Sequence, residues 1–435
     1  MRCTLIAKAC LGAALLLAAL TSAQTLPIAE PEEVGLSRPR LAKLGAVLKQ
    51  EVEQNRLPGV VLMVARKGKL AYADAFGWQD KAKGVPMTSD AIFRLYSMTK
   101  PLVSVALMQL VEDGKVQLTD LVAKFLPPFK DQRVSVAHLD PVSAKVTYTL
   151  VPVVREMTIH DLLRHTAALA YGEITQNGPV KEAYAKAGLW QSVRDYDSRD
   201  MTPQEQVERL GKAPLAHQPG TVWDYSLAVD VQGRVVEAVS GKRLAQFMEE
   251  RMFAPLHMSD TGFWVPKDKF ARLAEPFALD PATGQANKLI DVSAIPKNDS
   301  GGAGAVGSAG DYLRFCQTML NGGELDGARV LSRSTVKLMI SDHLGSRIEV
   351  PVQPSELLLG TPGYTFGLGF AVRQSDGIAG VQGSAGEFTW AGYAGTYFFG
   401  DPKEQLCAVY MTQAPGAMRA YYRKMFKALV YQALE

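Results

Sequence analysis

The stretch Phe93-Arg94-Leu95-Tyr96-Ser97-Met98-Thr99-Lys100-Pro101 decides how the rest of this chain is organised. Behind it runs Leu102-Val103-Ser104-Val105-Ala106-Leu107-Met108-Gln109-Leu110-Val111, apolar on nearly every face. A helix that is apolar all round is a buried one. Glu112-Asp113-Gly114 supplies its stop, with glycine at the C-cap. Pro101 fixes the other end, because proline has no N–H to donate and fits only a helix's first turn. The helix therefore begins near Ser97, and Lys100 lies one turn further in. Residues three apart share a helix face, separated by a rise of roughly 4.5 Å, so the ammonium can reach the hydroxyl. A lysine in apolar surroundings is pushed toward its neutral form, which can take a proton from serine. Ser97 is thus the expected nucleophile and Lys100 its partner.

The same S-x-x-K spacing recurs at Ser334-Thr335-Val336-Lys337, where the surroundings differ. Leu331-Ser332-Arg333 before it reads as a loop ending in an N-cap, which puts Ser334 and Lys337 on a solvated first turn. The buried helix behind Ser97 is what separates the two. No serine has glycine both two before and two after it, so the chain has no nucleophile elbow. His160 and His165 are five apart with no acidic third ligand nearby; a metal site is not expected, nor any cofactor. His165 is expected to be a structural, hydrogen-bonding histidine, with a base for Ser97 as the alternative.

The 435 residues are 47% hydrophobic and 21% charged, a globular composition long enough for a large core. Arg2 and Lys8 precede or open an apolar run from Ala9 to Leu20, and Thr21-Ser22-Ala23 offers small residues for cleavage. Residues 1–23 therefore read as a secretory signal peptide, too short to span a membrane, and the mature protein is expected in a secreted, periplasmic location. Losing Arg2 and Lys8 takes the formal charge from +3 to +1. That balance points to neither nucleic acid nor an anionic membrane surface as a partner. Losing the leader also leaves only Cys316 and Cys407, both in apolar patterns and read as buried free thiols rather than a disulfide.

Taken in order, Ser37 is expected to cap a helix to about Asn55, and Val60 to Ala65 and Leu70 to Phe76 form a hairpin around Arg66-Lys67-Gly68-Lys69. Residues 126–300 read as loop-rich with short helices and few strand patterns. Within them Thr158 and Thr202-Pro203-Gln204-Glu205 carry helix caps, and a helix following Tyr225 stops at Ser240-Gly241. Strand texture returns at Gly369 to Gln374, Gly383 to Trp390, Tyr393 to Phe399 and Leu406 to Thr412, before a last helix from Ala417 to Leu434. The expected fold is α+β: one antiparallel sheet built from both chain ends and flanked by helices, formed by residues 24–125 and 301–435. A mostly helical domain, residues 126–300, is inserted between them.

These motifs resemble the penicillin-recognising serine hydrolases, and within them the class C β-lactamases and their esterase relatives. S-x-x-K is their first signature. Trp223-Asp224-Tyr225-Ser226-Leu227-Ala228-Val229-Asp230 is similar to the second, whose tyrosine faces the nucleophile. His165-Thr166-Ala167-Ala168-Leu169, Gly301-Gly302-Ala303-Gly304 with Asp311-Tyr312, and Asn321-Gly322-Gly323 are similar to further landmarks, so the resemblance spans nearly the whole mature chain. Two departures stand out. Leu227 sits where the family usually has Asn, and Trp390-Ala391-Gly392 stands where it has Lys-Thr-Gly. Class C-like carboxylesterases and acyltransferases carry a Trp or His with a glycine there.

The resemblance implies Ser97 as nucleophile, Lys100 and Tyr225 as proton relays with the general base left open between them, and an oxyanion hole from the backbone N–H groups of Ser97 and Tyr393. It makes Leu227, Trp390, Ala391 and Gly392 the substrate pocket. The expected activity is hydrolysis of small carboxylic esters through an acyl-serine, with possible acyl transfer to an alcohol. A D-alanyl-D-alanine carboxypeptidase or weak β-lactamase is the enzymatic alternative, and an idle ligand-binding member of the fold the other.

Overall fold

The computed structural model describes residues 25–190 and 198–435. The expected leader lies outside the described residues. Among those described, no helix is long and apolar enough to cross a membrane.

The central layer is an eight-stranded sheet, antiparallel throughout. Its strands are β1 (Gly59–Arg66), β2 (Lys69–Asp80), β3 (Val85–Pro86), β4 (Tyr364–Phe366), β5 (Ala371–Arg373), β6 (Phe388–Ala391), β7 (Tyr397–Asp401) and β8 (Leu406–Met411). Their spatial order is β4-β5-β6-β7-β8-β1-β2-β3. The two chain ends meet where β1 pairs with β8, from Val61 opposite Met411 to Arg66 opposite Leu406. The sheet is thus built from both ends of the chain, as the sequence implies.

Six helices surround the sheet and the Ser97 region: α1 (Arg38–Glu53), α2 (Thr99–Glu112), α3 (Ala228–Ser240), α4 (Ala309–Leu320), α5 (Pro354–Leu359) and α6 (Arg419–Tyr431). Successive strand residues face opposite sides of a sheet, and β7 shows which helix covers which side. Phe398 packs on Tyr312 of α4, ring centroids 4.8 Å apart, while Phe399 stacks on Tyr431 of α6 at 5.4 Å. The helices therefore sandwich the sheet. The α2 helix is buried from Thr99 to Leu110, as its all-round apolar sequence requires. It packs against α3, where Ser104 donates to Gln232 Oε1 at 3.0 Å.

Three expectations need correction. Ser37 occupies the N-cap position of α1, but its side chain makes no capping hydrogen bond. The 126–300 region contains a seven-residue-a-side hairpin, Arg133–Leu139 with Val146–Pro152. The alternation of Val134 and Val136, and of Val146, Tyr148 and Leu150, marks these strands in the sequence, although most of the hairpin is exposed. β4 was not expected, and the strands read as Gly383 to Trp390 and Tyr393 to Phe399 begin later, at Phe388 and Tyr397. The caps at Thr158 and Thr202 are both formed as full capping boxes, and Cys316 and Cys407 are buried free thiols.

Candidate active site

A single turn of 3₁₀ helix, Tyr96–Met98, precedes α2 and carries Ser97. Tyr96 enters it with a left-handed φ of 47°, a conformation a tyrosine rarely adopts unless its surroundings enforce it. The turn is pinned on several sides. Leu95 N–H donates to Ala305 O at 2.9 Å, Tyr312 Oη donates to Met98 O at 2.8 Å, and Thr99 Oγ1 accepts from Ala305 N–H at 3.0 Å. Tyr96 Oη accepts from Ile290 N–H at 2.9 Å. Ser97 itself stays half-buried at the floor of a cleft.

Two polar side chains converge on its hydroxyl. Lys100 Nζ lies 3.2 Å from Ser97 Oγ, and Tyr225 Oη lies 2.6 Å from the same oxygen. The ammonium also stands over the Tyr225 ring, 4.6 Å from its centroid. Lys100 is fully buried, and desolvation pushes its pKa down to about 7, against the opposing pull of Asp230 and Glu173. At neutral pH a substantial share of Lys100 is therefore the free amine, the form that accepts a proton.

Sequence reading missed most of the shell around that amine. Lys100 Nζ donates to Gly302 O at 2.7 Å and lies 3.0 Å from Tyr171 Oη. The glycine-rich 301–304 segment explains how this carbonyl gets so close. A Cβ on Gly301 would sit 2.4 Å from Val229 O, and one on Gly302 would sit 2.3 Å from Asp230 Oδ2. Only glycines let the segment lie against the first turn of α3. Asp230, buried there, accepts from Ser300 Oγ at 2.8 Å. Glu173 lies close enough to feel Lys100, and burial raises its carboxyl to about 7. The available signals were Asp230 closing the tyrosine motif and Tyr171 following the His165 stretch; neither spacing identifies a partner for Lys100.

His165 supports the site without touching the serine. Its ring packs 5.2 Å from that of Tyr225, its Nδ1 lies 3.3 Å from Ser226 Oγ, and burial drives its pKa well below the usual histidine range. It is held neutral, as a structural histidine. His160 faces His343, with Nε2 and Nδ1 2.9 Å apart. Among the described residues no group of three or more His, Cys, Asp or Glu could hold a metal ion. Ser334 and Lys337 are both exposed on the first turns of a short helix capped by Ser332.

The cleft over Ser97 encloses about 180 Å³. Trp390, Ala391, Gly392 and Tyr393 form one wall, and Ile174, Leu357 and Leu358 add apolar surface. Trp390 is both wall and core, with its ring 5.5 Å from Tyr225 and 5.4 Å from Phe366. Gly392 matters for a reason the sequence did not suggest. A Cβ there would lie 2.3 Å from Leu95 O, so glycine lets the end of β6 press against the turn that carries Ser97. Leu227 is not part of the cleft: it is buried at the N-cap of α3, packed into the core. Two cations that the sequence reading did not count, Arg419 and Arg423 of α6, also reach the lining.

Residues 44–432 match the family model described as Beta-lactamase. The chain is 34% identical over 377 residues to protein Rv1367c of Mycobacterium tuberculosis, covering 85% of this chain and 88% of that one. It is 33% identical over 393 residues to esterase EstB of Burkholderia gladioli, covering 85% and 90%. Among solved structures, it superposes on EstCE1, a hydrolase with promiscuous acyltransferase activity, with a TM-score of 0.72 and 29% identity over 90% of this chain and 99% of that one. The chain belongs to the Beta-lactamase family, and its relatives there place it on the esterase and acyltransferase branch.

Proposed function

We propose that this protein is a secreted serine hydrolase that cleaves small carboxylic esters through an acyl-Ser97 intermediate. The observation that carries this reading is the convergence of Lys100 Nζ and Tyr225 Oη on Ser97 Oγ, at 3.2 and 2.6 Å, with Lys100 desolvated to a pKa of about 7. Ser97 Oγ attacks the ester carbonyl carbon while its proton passes to the Lys100–Tyr225 pair. The resulting oxyanion is held by the N–H groups of Ser97 and Tyr393, donors of a kind that contribute about 3 kcal/mol each in the transition state. The pair then returns the proton to the departing alkoxide, leaving acyl-Ser97. Water attacks the acyl carbon, frees the carboxylic acid and regenerates the serine; an alcohol in place of water gives acyl transfer. EstB and EstCE1, an esterase and a hydrolase by name, support this chemistry. The leader-like residues 1–23 support secretion.

Arg419 and Arg423 favour a second reading, in which a carboxylate-bearing amide or lactam is bound. Both are, however, tied to backbone carbonyls: Arg423 to Gly392 O and Leu358 O, Arg419 to Tyr393 O and Gly416 O. Trp390 and Ala391 present apolar surface where a dedicated lactamase needs donors. A site without a partner for a charged group discriminates against it, whereas an apolar wall accepts uncharged acyl chains. We expect kcat/KM for a short-chain p-nitrophenyl ester to exceed that for a chromogenic cephalosporin by at least about a hundredfold. Comparable constants on one purified sample would transfer the assignment to the lactamase reading.

A further inference from the structure

Arg423 is a buried cation with an unusual set of partners. It is 4% exposed, and no carboxylate among the described residues forms an ion pair with it. An unpaired charge is costly to bury, and burial together with neighbouring Arg419 pushes its pKa down to about 9. Its donors go instead to two backbone carbonyls: Nη1 to Leu358 O at 3.1 Å, and Nη2 to Gly392 O. Four residues earlier on the same helix face, Arg419 Nη1 donates to Tyr393 O at 2.8 Å. Helix α6 thus grips two successive carbonyls of the corner after β6.

Gly392 C=O and Tyr393 N–H belong to one peptide plane. In a trans peptide the two point in opposite directions, so fixing the carbonyl fixes the donor. A cation on the carbonyl also polarises the peptide and strengthens its N–H as a donor. We infer that Arg423 is a positioning residue that orients and polarises the Gly392–Tyr393 peptide, so that Tyr393 N–H is held ready for the oxyanion formed at Ser97. This deepens the acyl-serine reading and rests on it. A guanidinium suits the task because its planar fork can hold Gly392 O and Leu358 O together, locking the corner to α5.

Arg423 also lies within electrostatic reach of Tyr225, so the experiment must separate the two routes. The readings are kcat, KM and pH profile for p-nitrophenyl butyrate, together with Ki for butylboronic acid. The boronate bonds to a serine oxygen as a tetrahedral adduct and places an oxygen where the oxyanion forms. Arg423→Met is expected to lower kcat about tenfold to a hundredfold, short of or equal to the loss of a whole oxyanion donor. KM should stay within about twofold, Ki should rise by a factor similar to the fall in kcat/KM, and the pH profile should keep its shape. Arg423→Lys keeps the cation but lacks the planar fork that spans the two carbonyls, and should show the same correlated losses, smaller. If the methionine variant does not fold, the lysine variant decides, with rates referred to active sites titrated by a fluorophosphonate. Wild-type kcat and Ki in the folded variants would overturn the inference. So would a displaced pH profile with unchanged Ki, which would place the effect on Tyr225. Failure of the underlying reading looks different: wild-type enzyme would be insensitive to the boronate, and Ser97→Ala would retain activity.

Discussion

Replacing Lys100 by methionine should abolish activity and stabilise the protein, with a pH signature that identifies the cause. A pKa lowered from 10.5 to about 7 corresponds to roughly 5 kcal/mol of preference for the neutral amine in the fold. Methionine forfeits the hydrogen bond to Gly302 O, at a cost of about 1–3 kcal/mol for a buried acceptor. A net gain of a few kcal/mol remains at neutral pH. The sign follows from proton binding. Between pH 10.5 and about 7 the unfolded lysine holds more proton than the folded one, so wild-type stability rises with pH across that window. The advantage of Lys100→Met should therefore be full below about pH 7 and vanish as pH approaches 10.5. Denaturant titrations of both proteins at several pH values measure it. Below that window, at pH under about 7, kcat/KM of the wild type should fall tenfold per pH unit as Lys100 takes up its proton. Glu173, also raised to about 7, is the competing source of that limb. Glu173→Gln removes a charge that raises the lysine's pKa, so it should move the limb to lower pH and leave it intact. A limb that disappears in Glu173→Gln, or a stability gain independent of pH, would refute the assignment of a neutral Lys100.

Tyr225→Phe should lose about a hundredfold or more in kcat, and combining it with Lys100→Met should cost little beyond either alone, because the two serve one proton transfer; near-wild-type turnover would reduce Tyr225 to packing. Gly392→Ala sets a Cβ 2.3 Å from Leu95 O. It should cost about 1–3 kcal/mol by overpacking, and up to about a hundredfold in kcat by shifting the Ser97 turn. A loss of stability without loss of kcat, read from melting curves and steady-state rates, would show that β6 can yield without moving the serine.

The parts of this molecule legible in sequence were those written in local pattern. The buried α2, the first hairpin, the capping boxes and the spacing of Ser97 to Lys100 all follow from contiguous residues. Tyr225 was reachable through its motif. What escaped notice was assembled by long-range packing. Tyr171 and Gly302 approach Lys100 from 71 and 202 residues away, and Arg423 reaches Gly392 across 31. Leu227 was misplaced because the residue two beyond Tyr225 is carried into the core at the start of α3 rather than toward the cleft. Gly392 was singled out on the right strand for an incomplete reason, since a collision with Leu95 O is visible only once β6 and the Ser97 turn are neighbours.

The central claim is that Ser97 forms the covalent bond, and labelling tests it directly. The protein is treated with a fluorophosphonate, digested and mapped by mass spectrometry, with Ser97→Ala alongside. The account predicts one adduct on the peptide carrying Ser97, concurrent loss of esterase activity, and neither label nor turnover in the variant. An adduct on Ser334 or elsewhere, or undiminished turnover in Ser97→Ala, would contradict it.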